Sequence, residues 1–367
     1  MLRAALPFWR SLSLAPLVAL AASYGGWWLA AVPIYGWIVM SVLDRIWGLD
    51  EENPDPNGEH DLFWHSLVTW VWLPIQIVLI FGSIYATTLG HLAGWEQWVL
   101  MMSLGVVTGT VGINFAHELI HQKNRWELWM CEWLLISTLY GHFKSEHLLV
   151  HHRYIGTPRD PVTAKYNEGF YRYFPRVLVQ CVRSAWIAEA ALLARKGLGP
   201  LAPANPFWRY VGGGLAFMGL AYGIAGWVGV GLFLIQAFHA ILQLELVNYI
   251  EHYGLTRKHL GDGKYEHVKP RHSWNAAHRI TNYLLINLQR HSDHHYKPDR
   301  RFPLLQTYSE EDAPQLPYGY PLMTLFALVP PVFRRLMNPR VRAWRKRYYP
   351  EISDWTPYKH GTNPLPR

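Results

Sequence analysis

The chain has 367 residues, of which 50% are hydrophobic, 15% aromatic and only 16% charged, against roughly 25% charged in soluble domains. Its formal charge is +8, but the basic residues flank apolar segments instead of forming one groove-tracking stripe, which argues against nucleic acid as a partner. Cys131 and Cys181 are isolated, with no CxxC pair, which excludes a disulfide scaffold, a thiolate zinc site and a fused Cys-ligated electron-transfer domain.

A membrane helix needs about 20 mostly apolar residues. Six stretches qualify: Leu6–Tyr24, Gly26–Leu43, Leu62–Leu89, Trp95–Phe115, Trp208–Gly226 and Trp227–Asn248. The expected fold is therefore an all-α integral membrane protein with six transmembrane helices. The first two form a hairpin around Gly25 and Gly26, and the last two turn near Gly226. Ala19-Leu20-Ala21 could pass for a signal-peptidase site, but a second apolar run follows at once, so an uncleaved hairpin is the reading. The 19 tryptophans suit the membrane–water interface.

Orientation follows from Lys and Arg placement. The connections around Gly25, Gly90–Gly94 and Gly226 contain neither, whereas Lys123 to Lys196 and Arg257 to Arg367 hold nearly all of them. An even number of spans then places both termini and both large polar segments in the cytoplasm. The acidic stretch 50–61 becomes a loop on the same side. Tyr320–Leu336, interrupted by Pro330 and Pro331, reads as a membrane-surface segment. The expected organisation is one integrated domain. Residues 1–116 carry helices one to four, and 117–207 form a cytoplasmic segment. Residues 208–248 carry helices five and six, and 249–367 form a second cytoplasmic segment with the tail.

Four histidine clusters fall on that side. His117-Glu-Leu-Ile-His121 leaves the fourth span, and positions i and i+4 of a helix share a face. In Glu146-His147-Leu-Leu-Val-His151-His152, an α-helix puts His147 and His151 together and His152 about 100° away, toward a second ion. His252 follows the sixth span in Asn248-Tyr-Ile-Glu-His252-Tyr-Gly254. His291, His294 and His295 share i, i+3 and i+4 spacing. The first cluster imitates a zinc-protease HExxH, but that leaves the others unexplained. Nine imidazoles exceed one metal's needs and suit two ions, with Zn, Cu, Fe and Ni all open by ligand type. Glu118, Glu146, Glu251 and Asp293 are candidate acceptors for the distal imidazole N–H groups. His142, His272 and His278 lie outside the ligand spacing, and His239 inside the sixth span reads as hydrogen-bonded within the bundle.

These blocks closely resemble the AlkB-type alkane monooxygenases, within the class of membrane fatty-acid desaturases and hydroxylases. NYIEHYGL at Asn248–Leu255 and LQRHSDHH at Leu288–His295 narrow the resemblance. YGHF at Tyr140–Phe143, TPRDP at Thr157–Pro161, HSWN at His272–Asn275 and APQLPYGYP at Ala313–Pro321 support it, over about Leu6 to Trp344. The resemblance implies a six-span bundle with a cytoplasmic histidine-rich di-iron cap and a hydrocarbon substrate. It also implies O2 as co-substrate and electrons from NADH through rubredoxin reductase and rubredoxin. By motif position it implies iron ligation by His117, His121, His147, His151, His152, His252, His291, His294 and His295. The second box departs from many members in lacking a polar residue and Gly between its histidines, and Gln122 replaces a common Lys. Those departures keep relatives acting on substituted hydrocarbons, such as xylene monooxygenase-like enzymes, in contention, beside acyl-chain desaturases.

A terminal C–H bond offers no polar handle, so binding must come from burial of apolar surface, fed by a lipid-facing entrance between spans. Val32, Gly36 and Met40, spaced by four, form an expected channel stripe that is narrow at Gly36, with Trp37 pointing about 100° away. The alternative is that Gly36 serves close helix packing. Arg172, Arg176, Lys297, Arg300 and Arg301 are the expected dock for an acidic electron donor. A membrane metal transporter is the rival of another class, and it predicts ligands strung through the spans.

Overall fold

The computed structural model describes residues 2–56, 61–356 and 358. Four long apolar helices open it: α1 (Leu2–Tyr24), α2 (Gly26–Trp47), α3 (Phe63–Thr87) and α4 (Gly94–Ile120). They match the first four expected spans, extended by a few residues at several ends. Gly25, at φ 58°, turns α1 into α2 in a conformation that side chains with a Cβ disfavour. Glu96 at the start of α4 holds that turn by accepting from the Gly26 and Ala93 N–H groups, both at 2.7 Å. The acidic stretch after α2 is irregular over residues 51–56, and residues 57–60 of it lie outside the described part.

After α4 come α5 (Arg125–Ile136), the helical turns of residues 143–154 (α6), α7 (Phe170–Ala194) and α8 (Phe207–His252). At 46 residues α8 is about twice the length of one crossing. It breaks at Ala225 (φ −138°) and Gly226 (φ 59°), and beyond the break Phe233 meets Phe217 with ring centroids 6.4 Å apart. In a straight helix those residues would be about 24 Å apart. The two arms are therefore antiparallel, and they are the expected fifth and sixth spans.

The sequence reading did not anticipate α7, which is also long and apolar enough to cross a membrane. It does not cross. His151, before α7, and His252, at the end of α8, meet edge to face with centroids 4.8 Å apart, so an even number of crossings separates them. The arms of α8 supply two, leaving none for α7. Its contacts agree: Phe170 packs on Tyr249 (5.6 Å) and Trp186 on Phe207 (5.1 Å), and both partners lie at the same end of the α8 arms. Six crossings remain.

The bundle core joins α4 to the second arm of α8. A Cβ on Gly105 would lie 2.5 Å from the Gln236 carbonyl, and one on Gly109 2.6 Å from that of Ala240. Glycine thus lets the two backbones touch, where lipid supplies no hydrophobic drive between helices. Buried amide groups in the bundle donate to hydroxyls on neighbouring helices, as that solvent favours: Gln76 to Ser137 (2.7 Å) and Gln236 to Thr108 (2.6 Å).

Past α8 the chain forms a small hairpin of β1 (His259–Gly261) and β2 (Lys264–Tyr265), then α9 (Arg279–Leu284) and α10 (His291–Tyr296). Buried Asp44 at the end of α2 caps α9, accepting from the N–H groups of Ile280 (3.0 Å) and Thr281 (2.9 Å) and from the Thr281 hydroxyl (2.7 Å). The expected surface segment from Tyr320 is two helices, α11 (Tyr320–Ala327) and α12 (Pro330–Tyr348). Pro330 and Pro331 open the second helix rather than interrupt one, since a proline in the first turn gives up no hydrogen bond.

Candidate metal centre

The four helices α4, α6, α8 and α10 converge at one end of the bundle, and all nine predicted histidines meet there. His117, His121, His147, His152 and His294 form one group, and His151, His252, His291 and His295 a second. In the first, Nε2 of His147 lies 3.0 Å from that of His121 and 2.9 Å from that of His152, which is 3.1 Å from that of His294. In the second, Nε2 of His291 lies 3.1 Å from that of His252 and 3.0 Å from that of His295. Two nitrogens bound at about 2.1 Å to one ion, at right angles, would be about 3.0 Å apart. Both groups therefore fit a coordinated ion. Only His121 and His152 are half-buried, and the other seven are buried.

The partition differs from the helical expectation for the second box. Residues 147–151 form a π-turn, with hydrogen bonds from i to i+5. Positions five apart then share a face, so His147 and His152 enter the first group and His151 swings to the second. The α-helical pairs His117/His121 and His291/His295 stay together as the i, i+4 rule requires.

The carboxylates supporting these rings are not the ones expected. His151 Nδ1 meets Asp160 Oδ2 at 3.1 Å, and Asp160 also accepts from Thr163 (2.7 Å) and the Val162 N–H (3.0 Å). Asp160 was visible only as part of the TPRDP block. Of the four predicted acceptors, Glu251 alone touches a histidine, with Oε2 at 3.3 Å from His291 Nε2, while its Oε1 accepts from Tyr320 at 2.7 Å. Glu118 instead accepts from Gln122 (3.1 Å). Asp293 is taken up by Arg300 (2.5 Å) and Tyr308 (2.7 Å). Glu146 is buried with neither oxygen partnered among the described residues, and burial together with the Asp160 and Glu245 carboxylates raises it far above the usual carboxylate range. Being next in sequence to a ligand does not aim a carboxylate at it, because adjacent helical residues diverge by about 100°.

The other histidines take ordinary places. Burial holds His142 down to about 4, with its ring on Tyr140 at 4.4 Å. His272 meets the Tyr349 hydroxyl at 2.8 Å, and His239 bonds the Ile235 carbonyl at 2.8 Å.

A mainly apolar cavity runs from between the spans to the histidines, touching His117 of one group, His291 of the other, and Glu251. Val32 and Gly36 line it as expected. Met40 does not; it borders a separate pocket with Tyr35 and Leu43, and Trp37 takes its place in the wall. The cause is again a π-turn, residues 34–39, which shifts the face by one residue. Nothing lies within 4 Å of a Cβ built on Gly36, so this glycine does not serve close helix packing. Trp37 donates to Thr324 on α11 at 3.2 Å.

The five basic residues divide. Arg176 is bound to Glu168 through two contacts of 2.9 Å, and Arg301 grips buried Glu127 through two of 3.0 Å. Arg300 is committed to Asp293. Arg172 and Lys297 are exposed.

Comparison with known proteins agrees with this geometry. The fatty acid desaturase family model matches residues 93–327. An alkane 1-monooxygenase 2 of Alcanivorax borkumensis is 39% identical over 330 residues, covering 88% of this chain and 84% of the relative. An alkane 1-monooxygenase 2 of Pseudomonas aeruginosa is 36% identical over 326 residues, 86% and 84% respectively. A xylene/toluene monooxygenase hydroxylase component of Pseudomonas putida is 27% identical over 334 residues, 89% and 86%. A multi-pass helical protein with clustered histidines at one end of its bundle, the chain is a membrane enzyme of the fatty acid desaturase class. Within that class it belongs to the alkane 1-monooxygenases.

Proposed function

We propose that the protein hydroxylates the terminal carbon of n-alkanes to 1-alkanols, using O2 and electrons from reduced rubredoxin at two iron ions. The observation that carries this reading is the apolar cavity whose inner end touches both histidine groups, at His117 and His291. The nine imidazoles would hold the ions, His151 steadied by Asp160 through its Nδ1. When bound, the irons supply the reduction of O2 and the insertion of one of its atoms into a C–H bond, the other leaving as water.

The chain's own residues supply placement. A hydrocarbon already dissolved in lipid gains none of the roughly 0.8 kcal/mol per CH2 released on leaving water. Shape must then decide what binds, in a cavity that Val32, Gly36 and Trp37 line together with Leu244 and Val247. A narrow tube lets one chain end reach the histidines while the rest trails toward the bilayer. On this reading the histidine-bearing face and both termini are on the cytoplasmic side of a bacterial inner membrane. The stretches 1–116, 117–207, 208–248 and 249–367 then work as one unit, because ligands come from two of them and the cavity walls from all four. A metal transporter is disfavoured: its ligands would be strung across the spans, and these nine gather at one end.

The likeness to a xylene/toluene monooxygenase component favours one second reading, an aromatic methyl group as substrate. Purified enzyme with NADH, rubredoxin reductase, rubredoxin and either octane or m-xylene separates the two. 1-Octanol by gas chromatography supports the proposal, 2-octanol removes terminal selectivity, and methylbenzyl alcohol alone moves the substrate class. Lys297→Glu should raise the KM for rubredoxin several-fold at low ionic strength and little at high salt. An unchanged KM places the donor elsewhere.

A further inference from the structure

Helix α7 is apolar enough to cross a membrane yet stays on the histidine-bearing side, and its outward face accounts for this. At 100° per residue, Tyr171, Pro175, Val179 and Val182 fall in one row. Tyr171, Val179 and Val182 are 64%, 69% and 42% exposed. Arg172, Arg176 and Arg183 form the adjoining row. Arg172 and Arg183 are exposed and form no ion pair among the described residues, while Arg176 turns back to Glu168. The one acidic residue of α7, Glu189, faces inward to the Ser145 hydroxyl at 2.5 Å.

The apolar row continues onto a second element. The Tyr171 hydroxyl donates to the Leu328 carbonyl at 2.9 Å, tying α7 to the corner between α11 and α12. That corner exposes Leu325, Val329 and Val332. Arg335 stands outward one turn beyond Val332, followed by Arg342 and Lys346 on the same side, and α12 contains no acidic residue.

Water alone is a poor neighbour for such a surface, and the bilayer interior is excluded by the even number of crossings. A helix lying in the interface plane sinks its apolar row to the acyl boundary and keeps its arginines level with the phosphates. We propose that α7 and the α11–α12 corner form a collar that seats the histidine-bearing end on the bilayer surface and prefers acidic phospholipid headgroups. Charge complementarity names the headgroup: Arg172, Arg183 and Arg335 are exposed and have no carboxylate partner among the described residues. A soluble acidic protein would answer the arginines and leave the valine row in water.

The full-length protein is placed in nanodiscs of phosphatidylcholine alone or of equal parts phosphatidylcholine and phosphatidylglycerol. Lipids retained on the ejected protein are counted by native mass spectrometry. The wild type should retain phosphatidylglycerol preferentially, and Arg172→Gln/Arg183→Gln/Arg335→Gln should lose that preference by about fivefold per arginine. A nitroxide on Val179→Cys should be relaxed by oxygen, which concentrates in lipid, and little by an aqueous nickel chelate; both native cysteines are buried. Equal retention of the two lipids by the wild type, an unaltered preference in the triple variant, or a nickel-accessible label each overturns the proposal. A raised KM for rubredoxin in the triple variant, with its lipid retention unchanged, also overturns it and assigns the surface to a soluble acidic protein.

Discussion

Asp160→Asn is the sharpest test of the two-group arrangement. Asp160 is 3% exposed and its carboxylate meets three donors: His151 Nδ1 at 3.1 Å, the Thr163 hydroxyl at 2.7 Å and the Val162 N–H at 3.0 Å. With Nε2 of His151 directed at an ion, Nδ1 carries the proton, and both carboxylate oxygens accept. An amide has one oxygen. If it faces His151, the NH2 confronts the Val162 N–H; if it faces Val162, the NH2 confronts the imidazole. One buried donor is stranded in either pose and the charge is lost, a penalty of about 1.5–3 kcal/mol. Loss of a ligand's supporting carboxylate generally weakens metal binding by about 10–100-fold, which is the same size. Because His151 belongs to the second group alone, one ion should loosen and not both. Iron is measured per chain across a chelator titration, with helicity followed by circular dichroism. The wild type should hold about two irons, and the variant should fall to about one at chelator concentrations that spare the wild type. Simultaneous loss of both irons, or an unchanged titration, refutes the partition.

Gly36→Trp should leave the protein folded, since a side chain there enters the cavity and not a neighbouring helix; the ratio of product from short alkanes to that from long ones should rise roughly tenfold or more. Loss of all substrates together would count against the channel. Arg301→Glu strands buried Glu127, which also accepts from Trp70 at 3.1 Å, and should cost about 3–5 kcal/mol of stability; the exchange Glu127→Arg/Arg301→Glu should recover part of the lost melting temperature. For Glu266, burial pushes the carboxyl up, but hydrogen bonds from His272, Tyr349 and the Lys258 N–H outweigh it and hold the group far below its usual value. A lowered folded value stabilises above the unfolded value of about 4.3 and is lost as pH falls through that toward the folded one. Glu266→Gln should therefore melt lower than wild type at pH 7 and approach it below about pH 4; a constant gap across that range would be the contrary result.

What could be read from the sequence was whatever local spacing determines. The nine histidines stand in short blocks on helix ends, so their gathering at one end of the bundle followed from span counting and i, i+4 geometry alone. Quantities set by distant partners were not readable. Arg301 looks like a surface cation until Glu127, 174 positions away, closes on it. Asp160 sits in a loop with no periodicity to aim it at His151. Helix α7 carries Arg172, Arg176, Arg183 and Glu189 and so reads as polar chain; the contact between His151 and His252, with those of Phe170 and Trp186, reveals that it is a long helix held beside the membrane rather than through it.

The remaining errors share one cause. Three π-turns occur among the described residues, at 34–39, 108–113 and 147–151, and each borders the site. The first brings Trp37 into the cavity wall and takes Met40 out. The second carries Gly109 and Thr110 along the same wall and delivers His117 to the first group from α4. The third exchanges His151 with His152 between groups. A π-turn adds one residue to a turn and rotates everything beyond it, yet its own residues keep α-like dihedral angles and ordinary apolar composition. No propensity announces it. Its cost is met where packing or ligation outweighs the regular hydrogen-bond pattern, so it belongs to tertiary structure. For this chain the regular helical period finds the histidines, and departures from that period decide which imidazoles share an ion and which side chains face the substrate.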